Sequence, residues 1–248
     1  MKGLRLSIFG LSLVVVLSVG FPGNGRAALF SDSFPGTSLN TANWSTIVLS
    51  GVSGQFTVNS GLHYSDSSGA GWTVLESTQG FSTNIDVVLQ VSNFQSSTTY
   101  PQPYSGFPSA VGLGLGQPGN IVVAGLGGGP GDFFYFAAQF DVLTGTISGL
   151  LPFPTTATSG QLELSYVGSE VDAYFNGLKF ASFFPGFGGP VPINISGTDI
   201  PTGATSFTVN SVSVSSNPVM SNVPLPPAFL FLGPGLVGLA ALRRRFKS

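Results

Sequence analysis

One histidine, ten carboxylates and no cysteine are the side chains from which this chain of 248 residues can build an acid–base or metal centre. A serine–histidine–aspartate arrangement or a histidine metal cluster would rest wholly on His63. That residue sits in Gly61-Leu62-His63-Tyr64, which reads as a strand, and a solvent-facing or core-edge place accounts for it. Glu170-Val171-Asp172 puts two carboxylates on one strand face, a pair that general acid and base work could use. An adjoining hairpin explains the pair as a solvated face. Asp66, Asp132 and Asp199 offer oxygen to calcium, but none lies in a recognisable ligand loop, so no cofactor is predicted. Gly112-x-Gly114-x-Gly116 lacks the helix that a dinucleotide fingerprint needs and reads as a glycine-rich strand. Trp72, Tyr100 and Tyr104, with Phe107, have flat faces on which a sugar ring can stack, and 22 phenylalanines supply the core. No catalytic residue is assigned.

The elements that must position these groups are strands. Only 7% of residues are charged, while glycine numbers 35 and proline 18, so long amphipathic helices are excluded. Ile85, Val87, Leu89 and Val91 alternate with polar partners, and further strand runs cover Val111–Leu115, Ile121–Leu126, Phe133–Phe140, Leu162–Val167 and Phe207–Val214. Between Gln161 and Phe183, Gly168-Ser169 and Asn176-Gly177 supply turn residues that tolerate positive φ, so three strands should meander. Leu162, Leu164 and Tyr166 then share one face, with Val171, Ala173 and Phe175 beside them. The stretch from Tyr100 to Gly131 reads as a loop-rich rim. The fold class predicted is an all-β antiparallel sandwich.

The two ends differ from this body. Lys2 and Arg5 precede an apolar run from Leu6 to Val19 and small residues at Gly25 and Ala27, the pattern of a secretory signal cut after Ala27. At the other end Val223-Pro224-Leu225-Pro226-Pro227 leads into the apolar stretch Ala228 to Leu242, about 22 Å long as a helix. Arg243, Arg244 and Arg245 follow and hold the terminus on the cytoplasmic side. The reading divides the chain into a signal at 1–27, a β-sandwich domain at 28–222 and a sorting tail at 223–248. Lys179 is the one cation between the two ends against ten acids there, a charge of −9 that excludes nucleic acid as a partner.

Val223-Pro224-Leu225-Pro226, a glycine- and leucine-rich span and a terminal arginine cluster resemble the PEP-CTERM sorting signal in its VPLPA-type variant. The resemblance implies an exosortase-type membrane protease as partner, recognition at Val223 to Pro226, and membrane attachment through the C-terminal segment until processing. The Tyr174-Phe175-Asn176-Gly177 hairpin, the opening Phe30-Ser31-Asp32-Ser33-Phe34 with Asn43-Trp44, and the closing Phe207 to Val214 resemble concanavalin A-like lectin and glucanase jelly rolls, in which first and last strands pair. Glucanases of that fold place carboxylates at alternate positions of one strand, and this sequence has no Glu-x-Asp-x-x-Glu run. The function expected is therefore an exported, membrane-anchored and then surface-released bacterial protein, not an enzyme, whose sandwich contacts extracellular polysaccharide. The alternatives are a carbohydrate-active enzyme on the same fold and a permanently anchored membrane protein.

Overall fold

The computed structural model describes residues 27–50, 54–66, 71–97, 109–117, 119–141, 144, 146–198 and 203–217. The proposed signal before residue 27, the sorting tail with Val223 to Pro226 and Arg243 to Arg245, and Tyr100 and Tyr104 lie outside these residues. No helix among the described residues is long and apolar enough to cross a membrane.

Fifteen strands form two antiparallel sheets. In the first, β13 (Leu178–Phe183), β12 (Glu170–Phe175), β11 (Gly160–Val167), β6 (Ile85–Ser96), β15 (Thr205–Ser216), β4 (Leu62–Asp66) and β3 (Gln55–Val58) follow one another, and β1 (Ala28–Asp32) also pairs with β15. The second runs β10 (Thr146–Thr155), β9 (Asp132–Asp141), β8 (Asn120–Gly129), β7 (Ala110–Gln117), β14 (Val191–Thr198), β5 (Trp72–Phe81) and β2 (Trp44–Ser50).

The alternating residues meet between the sheets. Val87, Leu89, Leu162, Leu164, Val171 and Ala173 of one sheet are fully buried against Val111, Leu113, Leu115, Ile193 and Ile195 of the other. Leu162 stands opposite Phe175, Leu164 opposite Ala173 and Tyr166 opposite Val171, so the meander has the register that its turn residues predict. Asn176 and Gly177 take φ of 51° and 78°, the left-handed pair of a tight hairpin. β15 pairs with β6 along its length, with β4 over its first half and with β1 over its second. First and last strands therefore meet. Val209 and Val212 are three residues apart yet both face inward, because the register shifts between Val209 and Ser211 and Asn210 is an inserted bulge residue.

The strand runs expected at Val111–Leu115 and Ile121–Leu126 are present and longer, and the rim expected from Tyr100 to Gly131 is corrected where they lie: β7 and β8 pair residue for residue through Ala110 to Gly127 in the middle of the second sheet. Glycine permits this by leaving room for neighbours. A Cβ added at Gly125 would stand 2.4 Å from the Phe136 ring of β9, so the ring takes the space of the missing side chain.

At the opposite side of the core, Asp32 holds the opening of the chain. Its Oδ2 accepts the Trp44 indole N–H at 2.9 Å, and its Oδ1 accepts the backbone N–H of Phe34 at 2.7 Å. All three residues are buried, and Phe34 and the half-buried Phe30 pack on the Trp44 ring. Asp32→Ala leaves two buried donors without their acceptor, and we expect a loss of about 2–4 kcal/mol in urea unfolding. Ser31→Ala on the same strand should change stability by less than about 0.5 kcal/mol.

Candidate functional site

The outward face of the first sheet is polar and self-satisfied. Gln90 donates to Gln161 at 3.0 Å and Gln161 to Glu163 at 3.2 Å. Lys179 pairs with Asp172 at 2.7 Å and with Glu170 at 3.5 Å. Partial burial by itself pushes the Asp172 carboxyl up, but hydrogen bonds from Lys179 and from the Ser182 hydroxyl, the latter at 2.8 Å, outweigh it and hold that carboxyl below its ordinary range. The Lys179 ammonium is raised in return, first by its hydrogen bond to Asp172. Glu170 and Asp172 thus form the solvated hairpin face that the sequence suggests, clamped by the cation between them. His63 is likewise engaged in the strand framework, its Nδ1 3.0 Å from the Thr208 hydroxyl and its Nε2 3.1 Å from the Asn59 carbonyl.

The outward face of the second sheet differs. Its central strand, β7, turns Val111, Leu113 and Leu115 inward and Gly112, Gly114 and Gly116 outward, so the middle of the face carries no carboxylate. Ile121, Val123, Phe134, Phe136, Ala138 and Phe140 form a second buried apolar cluster on this side, with Trp72 and Ile147 against it. Trp72 is half-buried and meets Phe140 edge-on, its ring centroid 5.6 Å away. This is one of the three aromatic residues predicted to face a glycan.

Two strands from the centre, β5 carries Glu76 on the same outward side as Trp72 and Val74, because Leu75 between them points into the core. Glu76 lies opposite Asn194 of β14 on one side and Ser45 of β2 on the other. Asn194 is buried and donates to the Gly116 carbonyl at 2.9 Å, while Ser45 is exposed. Burial raises the Glu76 carboxyl above its ordinary value, the reverse of Asp172. On this face Glu76 is the carboxylate of β5, and sequence reasoning missed it; Asp132, which opens β9, shares the outward parity of Phe134 and Phe136. The signal was a single acid at an outward position of an otherwise apolar strand, Trp72-Thr73-Val74-Leu75-Glu76, overlooked because the search was for paired acids.

Of the oxygen donors considered for calcium, Asp66 is buried at the end of β4, Asp132 opens β9 in the other sheet, and Asp199 lies outside the described residues. No group of three metal-ligating acidic, histidine or cysteine side chains forms among the described residues.

The two-sheet order, the pairing of the end strands and the glycine-lined central strand define a concanavalin A-like jelly roll, and solved structures agree. The β-1,3-glucanase of Mycobacterium marinum superposes with a TM-score of 0.55 at 10% identity, over 77% of this chain and 99% of that one. For the endo-β-1,3-glucanase of Pyrococcus furiosus the values are 0.53, 11%, 78% and 96%. For LamAcat of Zobellia galactanivorans they are 0.54, 11%, 77% and 98%. No family model matches the chain, and no curated protein does. These neighbours overturn the ground for expecting a non-enzymatic body: the sandwich shares its fold with proteins named as β-1,3-glucanases. The absence of an alternating carboxylate run, on which that expectation rested, excludes one placement of acids on the fold and leaves the others.

The direction of the Glu76 shift fixes its effect on stability. A carboxyl raised in the folded state ionises first in the unfolded chain, so native stability falls as pH rises from the ordinary carboxylate value through the raised one. Glu76→Gln removes that loss. Thermal melts should show the variant more stable than the parent at about pH 7, with the difference vanishing near about pH 3, where both states are protonated.

Proposed function

We propose that the sandwich is a carbohydrate-active enzyme that cleaves a β-glucan chain, with Glu76 as its general acid. The observation that carries this reading is the placement of a carboxyl raised by burial on the outward face of the second sheet, half-buried and beside exposed Ser45. Glycosidic cleavage by hydrolysis needs an acid to give its proton to the departing oxygen while water adds to the anomeric carbon and returns a proton, and desolvation raises a carboxyl toward the donor role. Asp172 is unsuited to that task, since Lys179 and Ser182 favour its charged form. Ser45 is placed to hold a sugar hydroxyl, and the Trp72 ring, on the same strand face, to stack on a neighbouring unit. The neighbours' named activity on β-1,3-glucan supplies the substrate class.

Release of reducing ends from laminarin, a soluble β-1,3-glucan, tests this. Glu76→Gln keeps the shape of the side chain and removes its proton donor, so the rate should fall by about 100-fold or more. An undiminished rate in that variant, or no release by the parent, would overturn the reading.

The reading extends to the route of the protein. A jelly roll whose solved examples include O-glycanases that initiate mucin breakdown is compatible with export. We take the chain to be exported by its N-terminal signal and held in the membrane by the segment before Arg243 to Arg245. An exosortase-type enzyme cuts it near Val223 to Pro226. The supports are the order of proline motif, apolar stretch and arginines, and the start of the β-ladder at Ala28, directly after the expected cut. Intact mass of the surface form should show an N-terminus at Ala28 and a C-terminus near residue 226. Replacing the three arginines with glutamine should lower the processed fraction, and unchanged processing would refute the role given to them.

A further inference from the structure

At one end of the sandwich Gln117, Asn120, Gln139 and the loop from Gly186 to Pro190 line two adjoining clefts that share Asn120. One, of about 370 Å³, lies between Gln117, Asn120 and the glycine-rich Gly186 to Pro190 segment. Its neighbour, of about 270 Å³, runs from Asn120 past Gln139 to Ser148. Each is near or within the size range of small-ligand sites.

The floor of this double cleft is built of amides in a fixed order. Gln139 donates to Asn120 Oδ1 at 2.9 Å, and Asn120 donates to the Pro185 carbonyl at 2.5 Å. These two bonds orient both side chains and leave the Gln139 carbonyl and its second N–H for a ligand. Gln117 stands exposed at the mouth with both halves of its amide unengaged. The half-buried Phe187 ring lines the same cleft and is braced edge-to-face by Tyr166 at 5.4 Å. A Cβ added at Gly188 or Gly189 would meet nothing within 4 Å, so the loop keeps the entrance clear.

Amides that both donate and accept, an aromatic ring beside them, no lining cation and the Asp141 carboxylate in the second cleft select a neutral polyhydroxylated ligand over an anion. We propose that this end cleft is a binding subsite for a neutral polysaccharide chain, separate from Glu76 and independent of the hydrolytic role given to it. It holds the polymer at the rim of the sandwich while the sheet face is engaged elsewhere on the same chain.

Affinity electrophoresis of the full chain in detergent, through gels containing laminarin, tests the subsite. Glu76→Gln serves as the background, so that the polymer is not consumed. That protein should be retarded, and adding Gln117→Ala with Phe187→Ala should weaken retardation at least tenfold in apparent affinity. Gly188→Leu adds a side chain at the entrance from open space at ordinary backbone angles, and should weaken retardation at least tenfold, to what the sheet face alone gives, with an unchanged melting temperature. Dextran sulfate in place of laminarin should give no retardation. Equal retardation of all variants in laminarin, retardation by the anionic polymer, or none of the background protein would each overturn the proposal. Loss of laminarin hydrolysis in Glu76→Gln is read in a separate assay, so failure of the active-face reading and failure of the end cleft are told apart.

Discussion

The pairing of β15 is the constraint on which the rest of the structure depends. This strand is held along one side by β6, and along the other by β4 and then β1, so it ties the opening strand and two later ones to the end of the domain. Val209, Val212 and Val214 are fully exposed to the core and closed from solvent. Until β15 arrives, β6 lacks its central partner and β1 has none. Such pairing joins residues more than 180 positions apart, Ala28 with Ser215 among them, and its loop-closure cost falls before any of its contacts form. The bulge at Asn210 lets one strand satisfy neighbours of different register without turning a valine outward.

The second sheet meets a different demand, because apolar clusters bury both of its faces. Inward it contributes to the main core, and outward Phe134, Phe136 and Phe140 need room above β8 and β7. Glycine on those two strands provides it. A Cβ at Gly112 would stand 2.5 Å from the Ser196 hydroxyl and one at Gly125 would meet Phe136, so side chains from flanking strands fold over the bare backbone. The same substitution of glycine for larger residues removes any place for acids at the middle of the face. The acids of this sheet therefore stand away from its centre, Asp132 and Asp141 at the ends of β9 and Glu76, only partly covered, on β5.

Sheet membership was legible where alternation was strict. The Gln161 to Phe183 meander and the inward set of β6 follow from period-two patterning and from turn residues able to take positive φ, and the pairing of first with last strand was implied by the resemblance to jelly rolls. The parity break between Val209 and Val212 was present in the sequence as well, since two inward valines three apart require an inserted residue. The Gly-rich strands β7 and β8 were harder, because glycine punctuates loops as readily as it thins strands, and only the phenylalanines of β9 explain its use here. The Asp32–Trp44 bond was hidden because the two partners belong to different sheets. Glu76 was hidden for a physical reason too: its shift arises from neighbours that cover it, Asn194 from 118 positions away among those beside it, and no local pattern encodes that burial.

The contrast between Glu76 and Asp172 decides which carboxyl this fold can use as an acid. The two stand on the outward faces of opposite sheets, so they cannot act on one bond together. Asp172 gains from its charge, because Lys179 and Ser182 donate to the ionised form; protonating it breaks an ion pair and loses stability as pH falls through its lowered value. Glu76 gains from its proton, because burial penalises the charge with no cation to offset it. A sandwich with one lysine in its body has a single place where an acid can be held ionised by a cation, and that place is the β12–β13 hairpin. Partial burial with no cation beside it raises Glu76, and the sandwich supplies that setting at the margin of its aromatic-covered sheet.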